Sequence, residues 1–435
     1  MRSMAEIADQ LQGYDPEALR ADQVNSLLAD FVSPVTGIEQ APLLSALDRV
    51  LAEDIVSPVS VPAHDNSAMD GFAFDGSQLQ AGAALQLKVV GAVFAGHVWR
   101  GIVQAGECVR IMTGAIMPAG LDTVVPEELT RLEGDQVFIP PDALKAGANR
   151  RCRGEDLMEG QVALGQGERL TPAALGLLAS LGIAQASVYR RLRVAYFSTG
   201  DEILSLGEAP REGAVYDSNR YTILGMLTRL GCEVIDLGVV KDDPLVLEST
   251  LIRAAAQADA VITSGGVSSG DADHTRDIMT KLGEAVFWRL AIRPGRPMAV
   301  GRILSESLEH PTGDGAAHAA TLLFGLPGNP VAAMVTFLAF VRPALLRMMG
   351  ARAEPAVHLR ATSEHPIRKK PGRTEYQRGI VTQHPDGHLS VRTTGNQGSG
   401  ILSSMVQANG LIVLGHDQIS VAAGDEVSVM MLSAV

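Results

Sequence analysis

RLRVAYFS (191–198), SNRYTILGMLTRLG (218–231), CEVIDLGVV (232–240), PLVLESTLIRAAAQA (244–258) and DAVITSGG (259–266) follow one another in the chain. The short runs rich in Val and Ile read as strands, and the longer runs between them as helices. DHTRDIMTKLG (273–283) continues the pattern as a helix. AVFWRLAI (285–292), MAVGRI (298–303) and TLLFGLPG (321–328) add strands before a long helix from Pro330 to about Met349. This alternation predicts a doubly wound, mostly parallel α/β sheet over residues 190–350. The polar, turn-rich stretch 305–320 reads as an exposed hairpin loop.

The flanks read differently. Residues 5–31 look helical, with Val24, Leu27, Leu28 and Phe31 at helical spacing. Asp48 to Ile55 reads as a second helix or its end, and Pro58 and Pro62 then impose an extended path. Residues 63–155 carry short apolar runs split by Gly and Pro, which predicts a small β domain. Thr171-Pro172 followed by AALGLLASLG has an N-cap, a Pro at the first helical position and a closing Gly182. Residues 355–435 return to short β runs that fit a C-terminal barrel or sandwich.

Composition narrows the function. The 435 residues carry a net charge of −13, which repels a phosphate backbone and argues against general nucleic-acid binding. Cys108, Cys152 and Cys232 stand 44 and 80 residues apart, too far for zinc-type pairs and odd for a disulfide framework. The first ten residues contain Glu6 and Asp9, where a signal peptide needs an apolar run. No stretch reads as membrane-spanning, so a reduced, cytoplasmic, soluble chain is the expectation.

Ligands of open α/β sheets bind beyond the carboxyl ends of the strands. The loops there are Ser198 to Glu202, Lys241 to Asp243, Ser264 to Asp273 and Gly325 to Pro330. Asp243-Pro244 and Asn329-Pro330 have the form of helix caps. Asp242 has no such structural use and is the better functional candidate. Gly265, Gly266, Ser268, Ser269 and Gly270 could form a tight turn or present backbone N–H groups to an oxyanion. Between Ala285 and Ser305 stand Arg289, Arg293, Arg296 and Arg302 with no acid, and guanidinium forks suit oxyanions. A second basic stretch runs from Arg368 to Arg378. Glu202, Asp242 and Asp273 would repel an anion unless a hard cation lay between them. The residues therefore point to a phosphorylated, nucleotide-like anion held with Mg²⁺.

Several motifs carry a resemblance. DNSAMDGFA (65–73), RIMTGA (110–115), Gly154-Glu155-Asp156, Ser198 to Glu202, Tyr216-Asp217-Ser218-Asn219, Gly265 to Asp273, Gly325 to Pro330 and Gly398-Ser399-Gly400 span nearly the whole chain. Together they resemble the MoeA and gephyrin E-domain family of molybdopterin molybdenumtransferases. The resemblance implies an elongated homodimer of four-part chains. These parts are an N-terminal helical and extended domain (1–62 with 156–189), the small β domain (63–155), an α/β molybdopterin-binding domain (190–350) and a C-terminal β-barrel (355–435). It implies a cleft at the subunit interface, where molybdate enters adenylylated molybdopterin and AMP leaves. Glu202 and Asp273 match Mg²⁺-holding acids, and Asp70, Asp156, Asp242 and Asp273 match acids needed for turnover. Thr113, Ser218, Asn219, Gly265, Gly266, Ser268, Arg289, Arg293, Arg296, Pro327, Gly328, Asn329, Pro330, Arg378 and Ser399 match substrate-binding positions. The molybdopterin-adenylylating enzyme and molybdoenzyme chaperones are the partners implied. A molybdopterin adenylyltransferase and a non-catalytic, gephyrin-like scaffold are the alternative readings. The chain departs from the family in three places, one of them the 305–320 loop, which is longer than is common. Arg293-Pro294-Gly295-Arg296-Pro297 stands where lysines are usual, and Phe72 where Tyr is usual.

Overall fold

The computed structural model describes residues 19–266, 272–304, 320–352 and 357–432, and the side chains of residues 272–276 lie outside that set. At its centre is a six-stranded sheet. Its strands run in the order Glu233–Val240, Arg193–Thr199, Ala260–Ser264, Ala320–Leu326, Pro297–Leu304 and Gly283–Arg289. The first four are parallel, and the last two form antiparallel hairpins at one edge. The pleat splits Arg193–Thr199 between two cores. Ala195 and Phe197 pack with Leu251 and Ile278, while Val194 and Tyr196 pack with Ile223, Leu227 and Phe324. Each Val, Leu, Ile or Phe side chain so buried contributes about 1.5–3 kcal/mol.

The helices start where the sequence provides caps. Asp217 accepts from the Arg220 N–H and opens Ser218–Leu230, and Asp243 accepts from Leu245 and Val246 and opens Pro244–Ala255. Gly231 closes the first at φ 87°. The long helix from Pro330 is interrupted by a π-helical stretch at Phe337–Val341. Among the described residues, one helix is long and apolar enough by length and composition to cross a membrane. Its most apolar 18-residue window within Pro330–Met348 has a mean hydropathy of 1.6, and 72% of that window is buried inside the protein, so it is a core helix. The 305–320 loop lies outside the described residues except Ala320, and its flanking strands pair antiparallel with Leu304 opposite Ala320.

The helix Ala21–Phe31 buries Val24, Leu27, Leu28 and Phe31, the stripe read from the sequence. That stripe joins the α/β core rather than the N-terminal elements. The Arg302 guanidinium lies 3.9 Å from the Phe31 ring centre and donates to the Phe31 carbonyl at 2.7 Å. The remaining N-terminal elements pair Ile38–Pro42 with Gln185–Tyr189 and Ile55–Val56 with Val162–Leu164. The helix Pro172–Ser180 covers them, capped by Thr171. The expected second helix over 48–55 does not form. Asp48 has φ 62°, Val50 and Leu51 bridge to Arg169 and Val188, and Ile55 begins a strand. Arg49 pairs with Glu39 and donates to the Tyr189 carbonyl, so tertiary pairing overrides the local helical preference.

The small β domain is a six-stranded sheet. It places Gly71–Phe74 between Thr123–Pro126 and Glu107–Ile111. At the C-terminus five strands close into a barrel: Thr374–Gln383 pairs with Leu389–Thr393 on one side and Gly410–Leu414 on the other. The short strand Ile292–Arg293 leaves the α/β domain and pairs parallel with Thr374 and Glu375. Barrel and α/β domain therefore share backbone hydrogen bonds.

Candidate active site

The chain leaves strand Arg193–Thr199 toward one sheet edge and returns on its other side through Ala260–Ser264. A doubly wound sheet leaves a crevice at such a switch point, beyond the strand ends. Here it is a cleft of about 1100 Å³ lined by Ser198, Thr199, Ser264, Gly265, Gly328 and residues of the C-terminal barrel. Gly265 and Gly266 adopt φ of 95° and 67°, and a Cβ on Gly265 would lie 2.2 Å from the Thr199 carbonyl oxygen. Only glycine lets the two strand-end loops approach this closely.

Asn219 ties the floor together. Its amide donates to Ser264 Oγ at 2.6 Å and to the Gly328 carbonyl at 2.7 Å. Among the described residues, Asn219 Oδ1 and Asp217 Oδ2 are buried with no hydrogen-bond partner. Buried acceptors left unpaired are costly, so a donor-bearing ligand edge would complete them. Asp242 accepts from Thr199 Oγ1 at 2.6 Å. Asp243 acts as the cap its sequence suggests. Asn329 occupies a cap position without making the side-chain cap bond and lines the cleft.

The structure brings together Glu202, Ser218, Asn219, Asp242, Gly265, Gly266, Arg293, Arg296, Pro327, Gly328, Asn329, Pro330 and Ser399. Other expected site residues stand elsewhere. Asp70 accepts from both the backbone N–H and the hydroxyl of Thr113 at 2.7 Å, in the small β domain. Those bonds, with Arg110 nearby, hold the Asp70 carboxyl below its ordinary pKa. Asp156 is exposed beside the extended segment at Val61. None of Asp70, Thr113 and Asp156 lines the cleft in the single chain, and neither does Arg289.

Arg378 is fully buried and does not line the cleft. Its guanidinium donates to Ser404 Oγ, to the Asn396 carbonyl and to the Gly398 carbonyl, so it holds the loop that carries Ser399. Burial, reinforced by Arg293, pushes its pKa down to about 10. Ser268 lies outside the described residues; Asp273 opens the helix Ala272–Leu282, but its side chain lies outside them too.

Sequence reasoning gives no individual role to Thr199, Asp217, Ser264 or Arg373, although each stands in a loop, motif or basic stretch it marks, and it misses Gln397; all five line the cleft. Asp217 stands in the Tyr216 to Asn219 motif and Arg373 in the 368–378 basic stretch, but only the fold turns either toward a site.

Residues 17–182 match the MoeA N-terminal region (domain I and II), residues 195–347 a probable molybdopterin binding domain, and residues 360–432 the MoeA C-terminal region (domain IV). A molybdopterin molybdenumtransferase of Haemophilus influenzae is 40% identical over 94% of this chain and 98% of its own length. The chain belongs to the MoeA family. A molybdopterin molybdenumtransferase of Nostoc is 36% identical over 91% of the chain and 88% of its own length. The crystal structure of a molybdopterin biosynthesis MoeA protein from Pyrococcus horikoshii superposes with a TM-score of 0.77 at 28% identity, covering 95% of this chain and all of that one.

Within this MoeA-family cleft the donor set suits a hard cation. Mg²⁺ is commonly held by one or two carboxylates together with substrate phosphates, so no preformed cage is required. Among the described residues there is no group of three metal-binding side chains, whereas Glu202 and Asp242 share the cleft.

Proposed function

We propose that this chain inserts molybdenum into molybdopterin, taking molybdate and adenylylated molybdopterin and releasing AMP with Mg²⁺. The single observation that carries this reading is the two-sided cleft. Carboxylates and glycine-rich loops stand at the strand ends, and Arg293 and Arg296 face them from the segment joining the barrel. The anionic pterin nucleotide lies on the strand-end side. Gly265 and Gly266 present backbone to its phosphates, and the acceptors of Asp217 and Asn219 meet N–H groups of its heterocycle. Glu202 and Asp242, with Asp273, would hold Mg²⁺, which would supply charge neutralisation to phosphate oxygens. Thr199 fixes the Asp242 carboxylate in place. Arg293 and Arg296 collect the second anion, molybdate, and set it beside the adenylyl group.

Asp70, Thr113 and Asp156 enter the reaction from a second copy of the chain. This places a homodimer at the centre of the activity, and an adenylylating enzyme upstream of it as pterin donor. The test is AMP release from adenylylated molybdopterin, with and without molybdate and Mg²⁺. AMP that depends on both supports the reading. Pyrophosphate chemistry instead would make the chain an adenylyltransferase.

A further inference from the structure

Tyr196 is fully buried in the α/β core, yet its ring ends in a hydroxyl. Ser198 follows two residues later on the same face of the strand. It is 2% exposed and reaches the cleft lining. The two side-chain oxygens lie 2.8 Å apart. On the neighbouring strand, parallel pairing sets Ser264 opposite Ser198 in register. Ser264 Oγ accepts from Asn219 Nδ2 at 2.6 Å and donates to the Pro327 carbonyl at 3.4 Å. Tyr196, Ser198, Ser264 and Asn219 thus form a polar strip that rises from the core to the cleft floor.

The protons of this strip decide its use. Each hydroxyl has one proton to give and can also accept. Burial pushes the Tyr196 phenol well above its ordinary pKa, so it keeps its proton. A buried donor without an acceptor is costly. Asn219 already donates to the Ser264 oxygen, so the phenol proton goes to Ser198. Ser198 Oγ is then an acceptor on its core side, and its own proton turns away from the core. Among the described residues, the Ser198 hydroxyl has no hydrogen-bond partner besides Tyr196. The side left to it is the cleft.

Resting on the reading above, we propose that Tyr196 is a positioning residue: by donating to Ser198 it aims the Ser198 hydroxyl into the cleft as a donor to the bound pterin nucleotide. Tyr196 itself touches no ligand. Ser198 stands opposite Ser264, next to the Gly265 backbone, where that reading puts the phosphates. The acceptor is therefore a phosphate oxygen, and a charged acceptor makes the stronger bond. A serine hydroxyl otherwise rotates among acceptors. Fixing it before the ligand arrives lowers the ordering cost of binding.

The test is AMP release by the full-length chain as adenylylated molybdopterin is varied at saturating molybdate and Mg²⁺. Ser198→Ala removes the donor and should raise KM about tenfold, the loss of one hydrogen bond to a charged group. Tyr196→Phe keeps the ring packing and should raise KM by a smaller factor, with the change in KM rather than kcat. In the double variant, Tyr196→Phe should add nothing further, because its route to the substrate has gone. Unchanged KM in Tyr196→Phe overturns the proposal: the hydroxyls then point the other way, from Ser198 through Tyr196 to Ser264, and serve the fold alone. An equal effect of Tyr196→Phe with and without Ser198 overturns the route through Ser198. Unchanged KM in Ser198→Ala overturns the donor role. Wild-type chain that releases no AMP would instead sink the underlying function.

Discussion

A methyl group on Gly265 would press within 2.2 Å of the Thr199 carbonyl oxygen, at a backbone φ of 95° that side chains avoid. Gly265→Ala should therefore lower stability by about 1–3 kcal/mol and open the strand-end crevice, read by denaturant unfolding and by loss of AMP binding. The exposed Asp70–Thr113 pair makes a pH prediction. Hydrogen bonds from Thr113, with Arg110 nearby, lower the Asp70 pKa in the folded state. A depressed carboxyl stabilises the fold above its unfolded pKa of about 3.9, and that contribution disappears as pH falls through the folded value. Thr113→Val removes the hydroxyl and keeps the backbone N–H, so the Asp70 pKa should rise part of the way back. Carbon NMR titration of that carboxyl measures it, and an unmoved titration would deny the side-chain bond its role.

At the scale of elements, the helix Ala21–Phe31 seals one face of the α/β sheet. Phe31→Ala should cost about 3–5 kcal/mol and leave the Arg302 guanidinium without its ring, as measured by urea unfolding. The strands and helices of 190–350 were legible because period and caps agree there: Asp217, Asp243 and Gly231 sit where the pattern ends. The 48–55 segment was not legible. Val50, Leu51 and Ala52 are buried in succession by pairing with distant strands, which no local period reports. The site shows the same division. Glu202, Asp242, Gly265 and Asn329 could be read from post-strand position alone. Arg373 could not, because its route into the cleft runs through a parallel pairing between residues about eighty apart. Arg378 shows the converse: its motif marked it, yet its guanidinium is used by its own loop.

Over the whole molecule, the carboxylates at the strand ends and the Asp70–Thr113 pair occupy separate parts of one chain. If a second copy completes the site, Asp70→Ala and Asp242→Ala chains should each be inactive alone and recover activity when mixed and allowed to exchange subunits. Persistent inactivity of the mixture, with exchange shown by mass labelling, would place both residues in one site on one chain. The central claim is that this cleft couples molybdenum insertion to release of the nucleotide. Counting molybdenum in the pterin product against AMP formed, in one reaction with adenylylated molybdopterin, molybdate and Mg²⁺, tests it most directly. The account predicts equal amounts of the two, and AMP accumulating with no metal in the pterin would contradict it.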